Sequence, residues 1–131
     1  MIESVLSQTY QNLELCIADG SGEEDSARAV IESYRGQDSR IRYEKLSRNL
    51  GISGNTNAAL SLATGEYLAL LDHDDVLEEH ALFEIVKWLS AHPETDMLYS
   101  DEDKLTSDSS VYFQPHFKPD FNPELLRSNN Y

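Results

Sequence analysis

The apolar run Tyr67-Leu68-Ala69-Leu70-Leu71 ends abruptly in Asp72-His73-Asp74-Asp75-Val76-Leu77-Glu78-Glu79, where five of eight residues are acids. Thr64-Gly65 precedes the run, so it reads as a buried strand over about 66–71, bounded by a turn signal. A buried strand that ends in carboxylates presents them at one edge of a sheet. Ligands of open α/β sheets bind at that edge.

Strand and helix patterns alternate on both sides of this run. Ile2, Val5 and Leu6 suit a short amphipathic helix. Leu13 to Ala18 reads as a strand, and Asp19-Gly20-Ser21-Gly22 as a turn. Asp25 or a neighbour caps the next helix, in which Ala27, Val30, Ile31 and Tyr34 recur at helical spacing. Glu23, Glu24 and Asp25 suit the positive end of its dipole, and Gly36 ends it. Ile41 to Leu46 is a second strand. Leu50 to Asn55 reads as a loop running into a helix from about Asn55 to Ala63, with Gly65 just past its end. A helix over about 79–91 places Leu82, Ile85, Val86 and Leu89 on one face, and His92-Pro93 stops it. Met97 to Ser100 is a fourth strand. This alternation predicts an α/β fold: βα units forming a mainly parallel sheet with flanking helices.

The last part of the chain is different. Phe113-Gln114-Pro115-His116, Phe117-Lys118-Pro119-Asp120 and Phe121-Asn122-Pro123-Glu124 are three tandem Phe-x-Pro-x units. Proline at that spacing forbids a continuous helix or a central strand. The segment is expected to run extended over the surface with its rings pinned into the body, and Leu125 and Leu126 to begin a short helix. We therefore read 1–131 as a single partial domain, with βα units over 1–105 and the tail over 106–131.

Charge narrows the partners. Ten basic residues against 24 acidic ones give a net charge of −14. Nucleic acid and anionic membrane surfaces both need basic patches and are therefore poor partners. The single Cys16 rules out an internal disulfide and fits a reducing compartment. With no long apolar stretch and no secretory signal, the expected location is the cytoplasm, or the inner face of the membrane for a longer protein.

Several residues carry candidate chemistry. Residues i and i+2 of an extended chain point to one side, so Asp72 and Asp74 can face one ligand. Two such charges ~4 Å apart repel by roughly 1 kcal/mol in water and ~4 kcal/mol at an effective dielectric near 20. A divalent cation reverses that sign, and Mg²⁺ typically takes one or two carboxylates and completes its shell with substrate phosphates. The alternative is a solvated acidic loop that caps the next helix. Asp19, at the end of the first visible strand, can accept hydrogen bonds from a base or ribose, or else merely form a turn. Gly51 and Gly54 allow close backbone approach, and Asn57 can donate an amide bond. Lys45 and Arg48 can meet a phosphate or remain solvated. His73 is expected to point away from its flanking aspartates, into packing or an outer hydrogen bond. Asp101, Glu102 and Asp103 follow the fourth strand; they can bind a metal indirectly or accept sugar hydroxyls, or form a charged turn with Lys104.

In order, these pieces resemble the family 2 glycosyltransferases of the GT-A fold. Ser4 through Leu15 looks like the family's first helix and second strand. Ala18-Asp19-Gly20-Ser21 is similar to its Asp-Asp-Gly-Ser turn, with alanine at the first acidic position. Asn49-Leu50-Gly51 through Asn57 is similar to its Asn-x-Gly…Asn segment. Ala63 through Tyr67, leading to Leu71-Asp72-His73-Asp74-Asp75, looks like the approach to its Asp-x-Asp signature. Tyr99 through Lys104 and Phe117 through Leu126 resemble a bacterial polysaccharide-synthesis branch.

The resemblance implies a nucleotide-diphosphate sugar donor, with a UDP-sugar favoured, and a saccharide or lipid-linked acceptor. It implies transfer with inversion, assisted by Mg²⁺ or Mn²⁺. Asp19, Gly51, Asn57 and Asp72 would hold the donor, Asp74 and Asp72 the metal. Asp101, Glu102 and Asp103 would meet sugar or acceptor. The family's first strand is expected before Ile2 and its catalytic base beyond Tyr131, so the isolated chain is expected to be inactive. It is also expected to self-associate through unpaired strand edges. A non-catalytic module that binds sugar nucleotide or metal is the alternative, and a receiver-like signalling domain a more distant one.

Overall fold

The computed structural model describes residues 1–23 and 26–128. They form two compact units, Met1–Trp88 and Leu89–Tyr131. The first contains α1 (Ile2–Leu6), β1 (Leu15–Asp19), α2 (Ser26–Arg35), β2 (Ile41–Lys45) and α3 (Gly51–Leu62). Helix α4 (Ala81–Ala91) carries the chain from the first unit into the second, which contains β3 (Glu102–Leu105), β4 (Tyr112–His116) and α5 (Pro123–Ser128).

β1 and β2 pair in parallel, with Leu15 opposite Ile41 and Asp19 opposite Lys45. Their connection is α2, so the segment is one βαβ unit. β2 alternates as a half-buried strand should: Ile41 is buried, Arg42 and Glu44 are exposed, and Tyr43 and Lys45 lie between. Helix α3 packs on both strands, α2 on β2. Val5, Ile31, Ile41 and Leu46 form the small apolar core. Arg40 ties the start of β2 to the chain after α1: its guanidinium donates to the Leu6 carbonyl at 3.0 Å and to Gln11 Oε1 at 2.9 Å, while Asp38 neutralises it at 2.7 Å. The first unit is thus mixed α/β, a parallel strand pair with flanking helices, in line with the α/β fold expected from the sequence.

Several local expectations change. α3 starts at Gly51, four residues before Asn55, so the supposed loop is the helix's first turn. It ends at Leu62 with Ala63 extended, and Gly65 is not in the left-handed region. Among the described glycines, that conformation belongs to Gly22 and Gly51. Asp25 and Glu24, read as cap and dipole partners of α2, lie outside the described residues, as do Asn129, Asn130 and Tyr131.

The run at 66–71 is not a paired strand. No described strand lies beside it to take its backbone hydrogen bonds, and Leu70 is 76% exposed. Met97 to Ser100 likewise forms no strand of either sheet among the described residues. The strand in the second unit starts later, at Glu102, and pairs antiparallel with β4, with Glu102 opposite His116 and a bulge before Lys104. Pro115 is accommodated because a two-stranded sheet has only edge strands.

The Phe-x-Pro-x rings are not pinned. Phe117 is 74% exposed and Phe121 55%. What docks the tail within its own unit is polar. The Lys118 N–H donates to Asp101 Oδ1 at 2.7 Å, the nearly buried Lys118 ammonium to the Ser100 carbonyl at 2.8 Å, and the Tyr99 hydroxyl to the Pro119 carbonyl at 2.6 Å.

Candidate functional site

The carboxyl ends of β1 and β2 build a polar cluster around a buried carboxylate. Asp19, the last residue of β1, is buried. Its Oδ1 accepts the Ser21 N–H at 2.8 Å, closing a short turn around Gly20. Its Oδ2 accepts the Tyr43 hydroxyl at 2.9 Å and the Lys45 ammonium at 3.0 Å. The parallel register places Lys45 directly opposite. Lys45 also donates to Ser21 Oγ at 2.9 Å. Burial by itself would raise the Asp19 pKa, but the hydrogen bonds from Ser21, Lys45 and Tyr43 outweigh it and hold the carboxyl far below the usual range. Burial, reinforced by Asp19, pushes the Tyr43 phenol up to about 12. Asp19 is therefore an ionised, fully engaged anchor, and Lys45, read as a phosphate contact or a solvated charge, is its counter-ion.

The start of α3 closes on this turn. Asn49 Oδ1 accepts the Gly51 N–H at 2.8 Å and the Asn55 amide at 3.0 Å, while Asn55 Oδ1 accepts the Leu50 N–H at 3.0 Å. A Cβ on Gly20 would stand 3.0 Å from the Asn55 amide nitrogen and 3.3 Å from the Asn49 backbone. The two motifs after β1 and β2 thus touch, and a side chain at position 20 would separate them. Gly51 has open space around it, and its positive φ of 76° is what calls for glycine. Gly54 is required sterically, since a Cβ there would come within 2.5 Å of Leu50 Cβ. The close approach that these glycines permit is between parts of the chain itself. Asn57 is exposed and lies outside this network; Asn55, which the sequence reading passed over, is the engaged amide.

Asp72, His73, Asp74 and Asp75 form a turn closed by the Asp75 N–H on the Asp72 carbonyl at 3.2 Å. The backbone is not extended there, so the simple alternation argument for Asp72 and Asp74 does not apply. Both carboxylates are exposed. His73 is not packed: its side chain is 93% exposed, and Nδ1 lies 3.9 Å from Asp74 Oδ1. No lysine or arginine among the described residues pairs with Asp72, Asp74 or Asp75. The described residues contain no group of three His, Cys, Asp or Glu poised around a metal position. Two exposed acids on one turn fit a cation that takes one or two protein carboxylates and completes its shell with phosphate and water; they do not make a closed protein cage.

The chain leaving this turn is clamped from α1. Gln8 is fully buried. Its amide nitrogen donates to the Ser4 carbonyl at 3.0 Å and the Glu78 carbonyl at 2.6 Å, and its oxygen accepts the Leu82 N–H at the start of α4 at 2.9 Å. Ser4 Oγ accepts the Leu77 N–H at 3.1 Å, and the Thr9 N–H donates to the Glu79 carbonyl at 3.0 Å. Another missed anchor lies at the opposite strand ends. Glu14 Oε1 accepts the N–H groups of Thr64 and Gly65 at 2.5 and 2.9 Å, and Oε2 pairs with the Arg42 guanidinium at 2.6 Å. The Thr64 N–H is the main reason its carboxyl sits below the ordinary range.

In the second unit the acidic trio divides. Asp101 caps the Lys118 N–H. Glu102 pairs with His116 at 3.1 Å and Lys118 at 3.0 Å, and His116 is the main cause of its lowered pKa. Asp103 makes no ion pair among the described residues and lines an open groove with Tyr112, Phe113, Pro115 and Phe117. Glu102 and Asp103 lie within β3, not after a strand as expected.

Comparison with known proteins places this arrangement. The model of glycosyl transferase family 2 matches residues 1–126. An uncharacterized protein of Sinorhizobium fredii is 42% identical over the whole chain, which spans 14% of that protein. The O-antigen biosynthesis protein RfbC of Myxococcus xanthus is 32% identical over 99% of the chain and 10% of its own length. An Escherichia coli β-1,3-glucosyltransferase, WfaP, whose name gives UDP-Glc as donor, is 42% identical over 56% of the chain and 28% of its own length. The chain therefore spans well under a third of each of these relatives. The family match sets the receiver-like reading aside. This chain belongs to glycosyl transferase family 2.

Proposed function

We propose that the chain forms the donor-binding part of a glycosyltransferase that moves a sugar from a nucleoside-diphosphate sugar to an acceptor hydroxyl, with a divalent cation assisting. The observation that carries this is a contrast among its carboxylates. Asp19, Glu14 and Glu102 are each matched to a cation or to N–H donors within the chain. The Asp72–Asp75 turn lies in solvent, and no lysine or arginine among the described residues pairs with its carboxylates. Its counter-charge then comes from outside the fold, and Mg²⁺ or Mn²⁺ with a diphosphate supplies it.

In this reading Asp74 and Asp72 hold the cation, whose positive charge stabilises the departing diphosphate. The Asp19 turn, with Gly20 against Asn55, forms a rigid floor for the nucleoside, and Gly51 keeps α3 close to it. Asp19 acts by fixing Tyr43 and Lys45, since both its oxygens are engaged. UDP is the favoured nucleotide, supported by the WfaP donor. Inversion, a saccharide or lipid-linked acceptor, and sugar contacts by Asp103 and its neighbours belong to the same proposal.

The test is calorimetry on the chain at its natural length, with UDP-, GDP- and dTDP-sugars, with and without Mn²⁺. Binding should be tightest for one uridine sugar and should strengthen with Mn²⁺, and Asp74→Asn should remove the Mn²⁺-dependent gain. Unchanged Mn²⁺ dependence in that variant sinks the metal assignment; absence of binding to any nucleotide sugar sinks the reading as a whole.

A further inference from the structure

We infer that Gln8 is a positioning residue for the acidic turn, fixing Asp72 and Asp74 from behind without touching any ligand. The inference rests on the proposed donor site and adds a residue to it. Gln8 stands out because it is a polar side chain with no solvent exposure at all. A buried amide is costly unless every group it offers is used. Here its oxygen and nitrogen bridge three backbone groups: the Ser4 carbonyl on α1, the Glu78 carbonyl, and the Leu82 N–H at the start of α4.

Neighbouring side chains extend the same clamp. Ser4 Oγ holds the Leu77 N–H, and Thr9 holds the Glu79 carbonyl through its own N–H and, at 3.3 Å, its hydroxyl. The Thr9 hydroxyl also meets His80 Nδ1 at 3.1 Å. Backbone groups at 77, 78, 79 and 82 are thus all tied to residues 4–9. The segment on the other side of the turn, 66–71, has no strand beside it among the described residues. The turn is therefore held from its trailing side. Two exposed carboxylates can share one cation only if the backbone between them keeps its shape, and the structure assigns that task to Gln8.

Hydrogen–deuterium exchange and nucleotide titration on the chain at its natural length test this. Gln8→Met keeps the length and apolar volume and removes all three hydrogen bonds. Exchange over 72–82 should speed up about tenfold while β1 and β2 keep their wild-type rates. The Mn²⁺-dependent part of UDP affinity should fall about tenfold, with the metal-free part unchanged. Unchanged exchange over 72–82, or equal loosening of β1 and β2, overturns the inference. So does a metal-free affinity that falls in step with the metal-dependent one. If Gln8→Met does not fold, Ser4→Ala removes the acceptor of the Leu77 N–H together with the hydroxyl's own bond to the Met1 carbonyl, leaves the Gln8 amide in place, and should speed exchange at 72–77 about threefold; no change there overturns the inference equally. Should wild type bind no nucleotide with Mn²⁺, the donor-site reading fails, and the exchange pattern alone still decides whether Gln8 sets the turn.

Discussion

Asp19 and Lys45 are register partners across the parallel β1–β2 pair, and their side chains meet at 3.0 Å with the carboxylate buried. The pairing of two backbones thereby fixes a charge pair at the carboxyl edge of the strand pair. A buried ion pair is weak as a source of net stability but costly to break, because one charge is left behind without its partner.

Asp19→Asn should accordingly destabilise the first unit by roughly 2–3 kcal/mol at neutral pH, read from urea unfolding. The sign with pH follows from the lowered pKa of Asp19. Its stabilisation is complete above the ordinary aspartate value near 4 and is lost as pH falls from there towards the folded-state value. Wild type should therefore lose stability steeply below about pH 4, and Asp19→Asn should lose less over the same interval. Parallel acid-unfolding curves would refute the assignment.

Tyr43 titrates in the opposite sense. With its phenol pushed up to about 12, its contribution is complete below the ordinary tyrosine value near 10 and is lost as pH rises towards 12. Ultraviolet titration should show a phenolate forming near pH 12, and Tyr43→Phe should reduce that late absorbance by one tyrosine. The same variant should cost about 1 kcal/mol for the lost hydrogen bond to Asp19. A late phenolate that persists in Tyr43→Phe belongs to another residue.

Glu14 offers a test of the latch at the far strand ends. Glu14→Ala leaves the Thr64 and Gly65 N–H groups without their carboxylate and the Arg42 guanidinium without its counter-ion, holding only the Leu62 carbonyl and the Thr64 hydroxyl. We expect a loss of about 1–2 kcal/mol and faster amide exchange at both positions. Glu14→Gln keeps an acceptor and should recover at least half of that loss. Equal effects of the two variants would show that the Arg42 charge, not the N–H contacts, holds the end of α3.

Two glycines of α3 should rank in a definite order. Gly51→Ala meets no atom but must hold a positive φ, at about 1 kcal/mol. Gly54→Ala drives a Cβ into Leu50 and should cost more, about 1–3 kcal/mol. Thermal unfolding of the two variants side by side checks the order.

What the sequence made readable was mostly local. Hydrophobic spacing located α2, and β-type patterns located β1 and β2. His92-Pro93 marked the end of α4, which stops at Ala91. The parallel pairing followed from the βαβ order. The runs at 66–71 and 97–100 were misread because an apolar segment declares its wish for burial and not whether a strand lies beside it. Exposed Tyr67 and Leu68 show how far pattern and pairing can part. At the site, Asp19 was visible from its place after a strand, but its engagement by Tyr43 and Lys45 depends on register. Gln8 and Glu14 gave no local signal at all: the distant backbone groups they hold lie 50 to 74 residues away, and only the folded backbone brings them together.

The bond from Gln8 to Glu78 closes a loop of seventy residues. Contacts of such separation form after nearby ones, because closure entropy must be met before they stabilise anything. The βαβ pair should condense early and the acidic turn should settle late. Pulse-labelled refolding should catch protected amides at Ile17 and Glu44 while Leu77 and Leu82 still exchange. A newly made chain would on this account possess its paired strands some time before the proposed cation-holding turn takes its final shape.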